Sequence, residues 1–220
     1  VQCGGDYNDL FYLIINPNSS EEIDDQTQIV AYVGEEFDVY CDGTGFKTTR
    51  ANGMVFLGEA SVGTSTTYAF YTDAAFLDDP EIQGFQIVVD GVSHDAGSNR
   101  GLLMRFSDSS GSVDTGSNYA NGYISNFGTY AGAQGLETSI PLTDTSAGAS
   151  QPLPVEVRGS RFPTTGKVIC QWIGVRDTNP PDFGVSNYGG TVGGFQLLWS
   201  GSGNFDSGVV RVWGIRARRA

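Results

Sequence analysis

The sequence is poor in the side chains from which most catalytic and metal sites are built. It has one histidine, His94, and three dispersed cysteines, Cys3, Cys41 and Cys170. Common zinc sites need clustered cysteines or at least two histidines, and a Ser-His-Asp triad could use only His94. The turn-like sequence around His94 predicts a solvated loop histidine. We therefore expect no enzymatic activity, no catalytic residues and no cofactor.

The three cysteines do not predict a disulfide framework, because they are odd in number and far apart. Cys170 lies in the strand-like run Val168–Trp172 and is interpreted as a small core residue. A Cys3–Cys41 bridge remains open.

Basic residues are also scarce, and the formal net charge is −13. An acidic field repels phosphate backbones and anionic lipid surfaces, so we expect neither nucleic-acid binding nor membrane insertion. The longest apolar run, Phe11–Ile15, is far shorter than the ~18–20 residues of a membrane span. Residues 1–46 contain ten acids and no base. We interpret them as a solvated surface, with ion binding or docking onto a basic partner as alternatives.

Glycine and aromatic residues are abundant instead. The 31 glycines are about twice the usual share, and strand-sized runs alternate with turns rich in Gly, Ser, Asp and Asn. This pattern predicts an all-β fold, an antiparallel, jelly-roll-like β-sandwich. The predicted strands are Leu10–Ile15, Gln28–Val33, Phe37–Cys41, Phe46–Thr49, Thr67–Tyr71, Gly84–Asp90, Leu102–Ser107, Tyr119–Ser125, Thr138–Leu142, Pro154–Arg158, Lys167–Val175, Gly194–Trp199 and Val209–Ile215.

The chain is predicted to have two units. Residues 1–52 form a small acidic β unit, and residues 53–220 form the sandwich, with a hinge at Ala51–Gly53. The opening Val1–Gly5 is interpreted as the continuation of a longer polypeptide, with a processed start as the alternative. A short turn near Ala74–Leu77 is the only helix candidate.

A polar segment, Ser107–Ser117, lies between two predicted strands. Oxygen side chains at alternate positions from Asp108 to Asp114 suit a hard cation, which makes these two aspartates weak candidates for a calcium site. The run lacks the bidentate glutamate of an EF-hand loop, so we interpret it as a hairpin tip and expect no metal.

Several segments occur in an order that is typical of one protein family. They are Val39–Gly45, Leu102–Asp108, Asp114–Ala120, Ile140–Thr143, Gly194–Ser200 and Gly203–Ile215. Together they resemble the C-terminal β-sandwich module of tail-fibre and other virion appendage proteins of tailed bacteriophages. The sequence departs from the family pattern at Trp213, where tyrosine is commoner.

The resemblance implies a structural virion protein, a tail-fibre or appendage tip that contacts a glycan or protein receptor on the host. It also implies a homo-oligomer, most often a trimer, with other virion proteins as partners. Sparse, unpaired cysteines suit assembly in the host cytoplasm. Two alternatives stay open: a secreted carbohydrate-binding module of a polysaccharide-degrading enzyme, and a head-decoration or baseplate protein with only virion partners.

A bound glycan would be expected on exposed loop aromatics. Tyr188 follows Asn187, close to the predicted loop that contains Asn179 and Asp182. A flat ring beside amide and carboxylate acceptors matches a sugar, so these four residues are the glycan-binding candidates.

The last predicted strand offers a candidate oligomer interface. If Val210 and Val212 face the core, then Arg211, Trp213 and Ile215 lie on the opposite face. Apolar side chains on an outward face favour contact with a neighbouring subunit, where Arg211 could meet part of the surplus negative charge.

Overall fold

A computed structural model describes most of the chain. The described residues are 2–6, 10–15, 22–23, 29–32, 37–41, 45–50, 53–71, 82–108, 110–125, 129–131, 136–143, 148–162, 167–176, 179–190 and 192–216. Over these ranges no helix is long and apolar enough to cross a membrane. The predicted turn at Ala74–Leu77 lies outside them.

The described residues form eighteen strands. In chain order they are β1 (Gln2–Asp6), β2 (Leu10–Ile15), β3 (Ile29–Tyr32), β4 (Phe37–Cys41), β5 (Phe46–Arg50), β6 (Gly53–Ser61), β7 (Thr67–Tyr71), β8 (Ile82–His94), β9 (Leu102–Ser107), β10 (Tyr119–Ser125), β11 (Thr129–Ala131), β12 (Leu136–Glu137), β13 (Ile140–Pro141), β14 (Leu153–Arg161), β15 (Val168–Arg176), β16 (Asn179–Tyr188), β17 (Gly194–Trp199) and β18 (Phe205–Arg216).

Among the described residues, these strands form four antiparallel sheets. The nine-stranded sheet has the order β11-β10-β16-β15-β14-β8-β18-β6, with β12 paired to β10, and it packs against a four-stranded sheet of order β13-β9-β17-β7. Two smaller sheets, β1-β2-β3 and β4-β5, come from the first fifty residues. The predicted all-β antiparallel sandwich is confirmed. Whether residues 1–52 form a separate unit stays a prediction, and the proposed hinge residues Ala51 and Asn52 lie outside the described part.

The core lies between the two large sheets and follows from side chains that alternate along each strand. On β14, Leu153, Val155 and Val157 are buried and the residues between them are not. The Phe85 ring on β8 meets the edge of Phe106 on β9 at a centroid distance of 6.0 Å. Burying each such side chain contributes about 1.5–3 kcal/mol, so this interior supplies the main stabilisation of the fold.

Consecutive strands cross repeatedly from one sheet to the other. The chain passes between sheets from β6 to β7, from β8 to β9 and from β17 to β18. As a result β17 lies between β9 and β7, and β18 lies between β8 and β6. These crossings tie the beginning of the sandwich to its end and give it the jelly-roll-like character that was expected.

A glycine in β18 lets that strand change register against β8. Gly208 has φ +121°, and a Cβ there would lie 2.6 Å from the Cα of Val92. The register shifts between Ser207 and Val209. A bulge of this kind needs a residue that tolerates positive φ and close backbone approach, which glycine does.

Several strands differ from the prediction. Of the predicted strand Thr138–Leu142, only Ile140–Pro141 is a strand, β13 of the small sheet; β12 lies just before this range, was not predicted and pairs with β10 of the large sheet. The loop predicted around Asp182 is wrong, because residues 179–188 form β16, between β15 and β10. Strands β1, β6 and β11 were also not predicted, and β8, β14 and β18 are longer than expected.

Candidate interaction surfaces

The outward face of β18 is arranged as the sequence predicted. Val210 and Val212 are fully buried, whereas Arg211 and Trp213 are half-buried and Ile215 is exposed on the opposite face. The predicted orientation is therefore confirmed. The role of this face in oligomer formation stays a prediction.

Arg211 is paired with acids of its own sheet, and its contact with negative charge on a neighbouring subunit stays a prediction. Its guanidinium forms an ion pair with Glu59 on β6 and lies 3.4 Å from the Asp90 carboxylate on β8. The hydrogen bond to Glu59 is the main reason why the Arg211 pKa is raised, and Asp90 adds to it. Arg211 therefore meets acids of its own sheet, and such solvent-exposed ion pairs add little stability.

An apolar patch surrounds Trp213. The Phe56 ring meets Trp213 edge-on at 5.7 Å, and the exposed Met54 lies beside Ile215, with which it is in register. We call Met54, Phe56, Trp213 and Ile215 the β6–β18 patch. Phe56 covers Trp213 only partly, so the patch still presents apolar surface to solvent.

A second apolar patch lies on the same face of the sheet, on β15 and β16. Ile169, Phe183 and Val185 are all exposed there, and we call them the β15–β16 patch. This patch was not predicted, because the beginning of β16 was interpreted as a loop. An alternating pattern is present, but its sense is reversed: the apolar Phe183 and Val185 point outward, and the polar Asp182 and Ser186 are buried.

The proposed glycan platform is wrong, because its central ring is buried. Tyr188 is 3% exposed, its ring stacks on Tyr119 at 4.9 Å, and its hydroxyl donates a hydrogen bond to Asp114 Oδ2 at 2.9 Å. Asp182 is also buried, while Asn187 is exposed.

The remaining member of that set is Asn179. It begins β16, and its side chain lies outside the described part. Since Tyr188 and Asp182 face the core and Asn187 faces solvent, the candidates do not form one surface.

The segment that contains Asp108 and Asp114 is not a hairpin tip. It connects β9 in the small sheet with β10 in the large sheet. Asp108 Oδ1 accepts hydrogen bonds from the Ser110 hydroxyl and from the backbone N–H of Ser112, and these lower the Asp108 pKa. The segment is thus a crossing between sheets, organised by its own hydrogen bonds.

Asp114 organises the second half of this crossing. Loss of hydration raises its pKa, but hydrogen bonds from the Gly116 N–H, the Asn118 amide and the Tyr188 hydroxyl outweigh that effect, so the Asp114 pKa is lowered overall. Across the described residues, no group of three or more His, Cys, Asp or Glu side chains could hold a metal ion.

His94 is a core residue, so the expectation of a solvated loop histidine is wrong. It ends β8, has no exposed surface, and its ring lies 4.8 Å from that of Trp199. Its Nδ1 accepts a hydrogen bond from the Ala96 N–H at 3.2 Å. The difference arises because β8 continues beyond the predicted strand and pairs with Phe205 of β18.

Cys41 and Cys170 are free thiols. Cys41 is free and exposed, so it forms no bond with Cys3. Cys170 is buried, as predicted, and burial raises the pKa of its thiol to about 12. A thiol that stays protonated at neutral pH is a poor nucleophile, which is consistent with a packing role.

No family model, curated protein or solved structure matches this chain. Its function is therefore inferred from its residues and from the two apolar patches.

Proposed function

We propose that the chain is a structural module of a tailed-bacteriophage virion, the tip of a tail fibre or of another appendage that contacts the host surface. The observation that carries the proposal is the outer face of the nine-stranded sheet. Exposed apolar side chains grouped on a rigid surface are typical of binding sites, and the two patches lie on strands whose other face is closed by a large core.

The positions of the family-like segments support the same proposal. Leu102–Ser107 forms β9 and Gly194–Trp199 forms β17, and these two strands pair with each other in the small sheet. Most of Gly203–Ile215 lies in β18, between β8 and the end strand β6 of the large sheet. These three segments thus supply paired strands of the two large sheets.

The receptor is proposed to be a glycan or a protein of the host surface. With Tyr188 buried, a sugar would have to bind elsewhere. Phe183 on β16 is an exposed aromatic ring with the exposed amide of Asn187 on the same face of its strand. Phe183 takes the place of Tyr188, and it and the earlier candidate Asn187 are the first residues to substitute in glycan-binding assays.

Immunogold electron microscopy tests the virion assignment. An antibody raised against the purified chain should label the distal end of an appendage on phage particles, and the purified chain should reduce adsorption of those particles to host cells. Label on the capsid or baseplate, without competition for adsorption, would favour the decoration or baseplate alternative. Absence from particles together with polysaccharide binding would favour the carbohydrate-binding module.

A further inference from the structure

We propose that the large sheet holds a buried water molecule between β10, β15 and β16, bound by the side chains of Asn121, Ser186 and Trp172. The site lies inside the sandwich and does not depend on the virion assignment, so it goes beyond the proposed function. It is inferred from polar atoms in the core that lack protein partners, from the strand register that brings them together, and from the short side chains beside them.

Three inward side chains carry buried polar atoms without a partner. Asn121, Ser186 and Trp172 are 5%, 2% and 3% exposed. Among the described residues, nothing forms a hydrogen bond with Asn121 Oδ1, Ser186 Oγ or Trp172 Nε1. An unpaired buried polar group is costly, and native proteins pair nearly all such groups with protein atoms or ordered water. Three of them in one place therefore indicate a shared polar partner.

The strand register places the three side chains side by side. Asn121 on β10 is directly opposite Ser186 on β16. Gly184, two residues before Ser186 and therefore on the same face, is directly opposite Trp172 on β15. The Trp172 ring reaches across to β16, because a Cβ on Gly184 would overlap its Cε2 atom, to which Nε1 is bonded. The indole N–H thus lies close to the position of Ser186 and Asn121.

The three atoms match the hydrogen-bonding capacity of water. The Trp172 indole N–H can only donate, the Asn121 carbonyl oxygen can only accept, and the Ser186 hydroxyl can do both. One water molecule can accept from Trp172 and Ser186 and donate to Asn121, which gives about the three hydrogen bonds that are typical of buried water. The indole N–H would repel a cation and the amide oxygen would repel an anion, so the set favours a neutral molecule that both donates and accepts.

Short side chains leave space for this molecule. Ser186 and Cys170, which is opposite Ser186 on β15, both have short side chains. The Trp172 ring fills the next inward position along the strands, over Gly184, and the Tyr188 ring occupies the inward position on the other side. Protein cores are closely packed, and a depression with polar walls between such rings is suited to water rather than to an empty cavity.

The water joins three strands of the large sheet to the segment that precedes β13. The Asn121 Nδ2 group donates to the backbone oxygen of Ser139 at 2.7 Å, which also fixes the orientation of the amide that holds the water. Ser186 lies between Val185 and Asn187, both exposed on the outer face. The site therefore supports, from the inside, the strands that carry the β15–β16 patch.

Nuclear magnetic resonance of the purified full chain tests the site directly. In the unmodified protein, the Trp172 indole N–H should show cross-relaxation with water of the sign expected for a water molecule that tumbles with the protein. Trp213, half-buried on the outer face, is the comparison, because surface water exchanges too rapidly to give that sign. Ser186→Val, which fills the position with methyl groups, should remove the signal at Trp172 and leave Trp213 unchanged.

Two serine variants test the site through stability. Ser186→Ala removes a hydrogen bond to the water and should raise the equilibrium constant for unfolding about fivefold. Ser107→Ala is the matched control, because Ser107 is another buried serine whose Oγ has no partner in the described part of the chain. The residues paired with Ser107, Gly194 and Val113, have no polar side chains, so this variant should leave the constant unchanged or lower it.

Two outcomes would overturn the proposal. The first is that the Trp172 N–H of the unmodified chain shows no contact with bound water, or that the contact persists in Ser186→Val. The second is that Ser186→Ala raises the unfolding constant no more than Ser107→Ala does, which would mean that the Ser186 hydroxyl has no bound partner. If Ser186→Val does not fold, the unmodified chain and the alanine variants still decide. No virion or host cell enters these measurements, so the proposed function is tested separately.

Discussion

The inner and outer faces of the nine-stranded sheet come from the same strands and follow different physical constraints. On β14, Val155 and Val157 point into the core, while Glu156 and Arg158 pair in solvent. Inward positions are restricted by close packing, so changes in volume are costly there. Outward positions are restricted only by strand geometry and solubility, and they can therefore hold binding patches without endangering the fold.

Substitution of one phenylalanine on each face should show the largest difference in unfolding free energy between the two faces. Phe85→Ala empties a fully buried site beside Phe106 and should lower the free energy of unfolding by about 3–5 kcal/mol. Phe183→Ala, on the outer face, should cost less than about 1 kcal/mol. Urea denaturation of dilute protein measures both, and equal losses would show that the outer patch is part of the folding core.

Substitution of Gly159, which lies against the Phe85 ring, should give the next largest loss of stability. A Cβ on Gly159 would overlap the Phe85 ring, so Gly159→Ala should destabilise the chain by about 1–3 kcal/mol. Ser160→Ala, the next residue and on the outer face, should change stability by less than about 0.5 kcal/mol.

The double variant Gly159→Ala/Phe85→Leu checks the cause. A smaller side chain at position 85 leaves room for the new methyl group, so the combined loss should be less than the sum of the two single losses. Additive losses would mean that the alanine acts through the backbone instead.

Tyr188→Phe removes the partly buried hydrogen bond to Asp114 and should cost about 1–2 kcal/mol. The folded pKa of Asp114 is lowered, in part by this bond, so the carboxylate stabilises the fold above its unfolded pKa of about 3.9 and loses that effect as the pH falls through the folded value. The difference in unfolding free energy between the unmodified chain and Tyr188→Phe should therefore shrink below about pH 4.

The matched substitution for Tyr188→Phe is Asn187→Ala, which alters the neighbouring outward residue and should change neither stability nor its pH dependence. Unfolding free energies between pH 2 and 7 measure both variants. If the loss of unfolding free energy caused by Tyr188→Phe were constant across this pH range, the effect of the Tyr188 hydroxyl would not depend on the ionisation of Asp114.

Arg211→Gln should have the smallest effect on folding. Arg211 pairs with Glu59 and Asp90 on a solvent-exposed surface, where water and salt compete with ion pairs. We expect no resolvable change in the denaturation midpoint at physiological salt. A loss as large as that of Tyr188→Phe would mean that the outer face also contributes to fold stability.

Strands with regular local patterns were predictable from the sequence. Leu10–Ile15, Phe37–Cys41, Thr67–Tyr71, Leu102–Ser107 and Gly194–Trp199 have the predicted bounds. Each is a short apolar or alternating run that ends at turn residues, so local chemistry and sheet pairing agree.

Strands with irregular patterns were not predictable. In β6, alternation breaks near Gly58, where the register against β18 shifts. In β16, Pro180, Pro181 and Gly184 resemble a loop, and pairing with β15 and β10 overrides that preference. A Cβ on Gly184 would overlap the Trp172 ring, so this glycine is explained by a contact with another strand.

The candidate surface was predictable only where it follows the local alternation of a strand. Alternation in β18 correctly placed Trp213 and Ile215 outward. The burial of His94 and Tyr188 depends on Trp199 and Asp114, which are distant in sequence, and no local pattern reports such partners.

The insertion of β18 between β8 and β6 has a consequence for how the protein is made. On the ribosome, β6 and β8 are synthesised long before β18. Because β18 lies between them in the finished sheet, neither strand has its partner on that side until β18 has been made. Until β18 arrives, both strands present unpaired edges, which are sites of aggregation. The nascent chain therefore has a long interval in which chaperone binding would protect it, and closure of the sheet is expected to be a late event of folding.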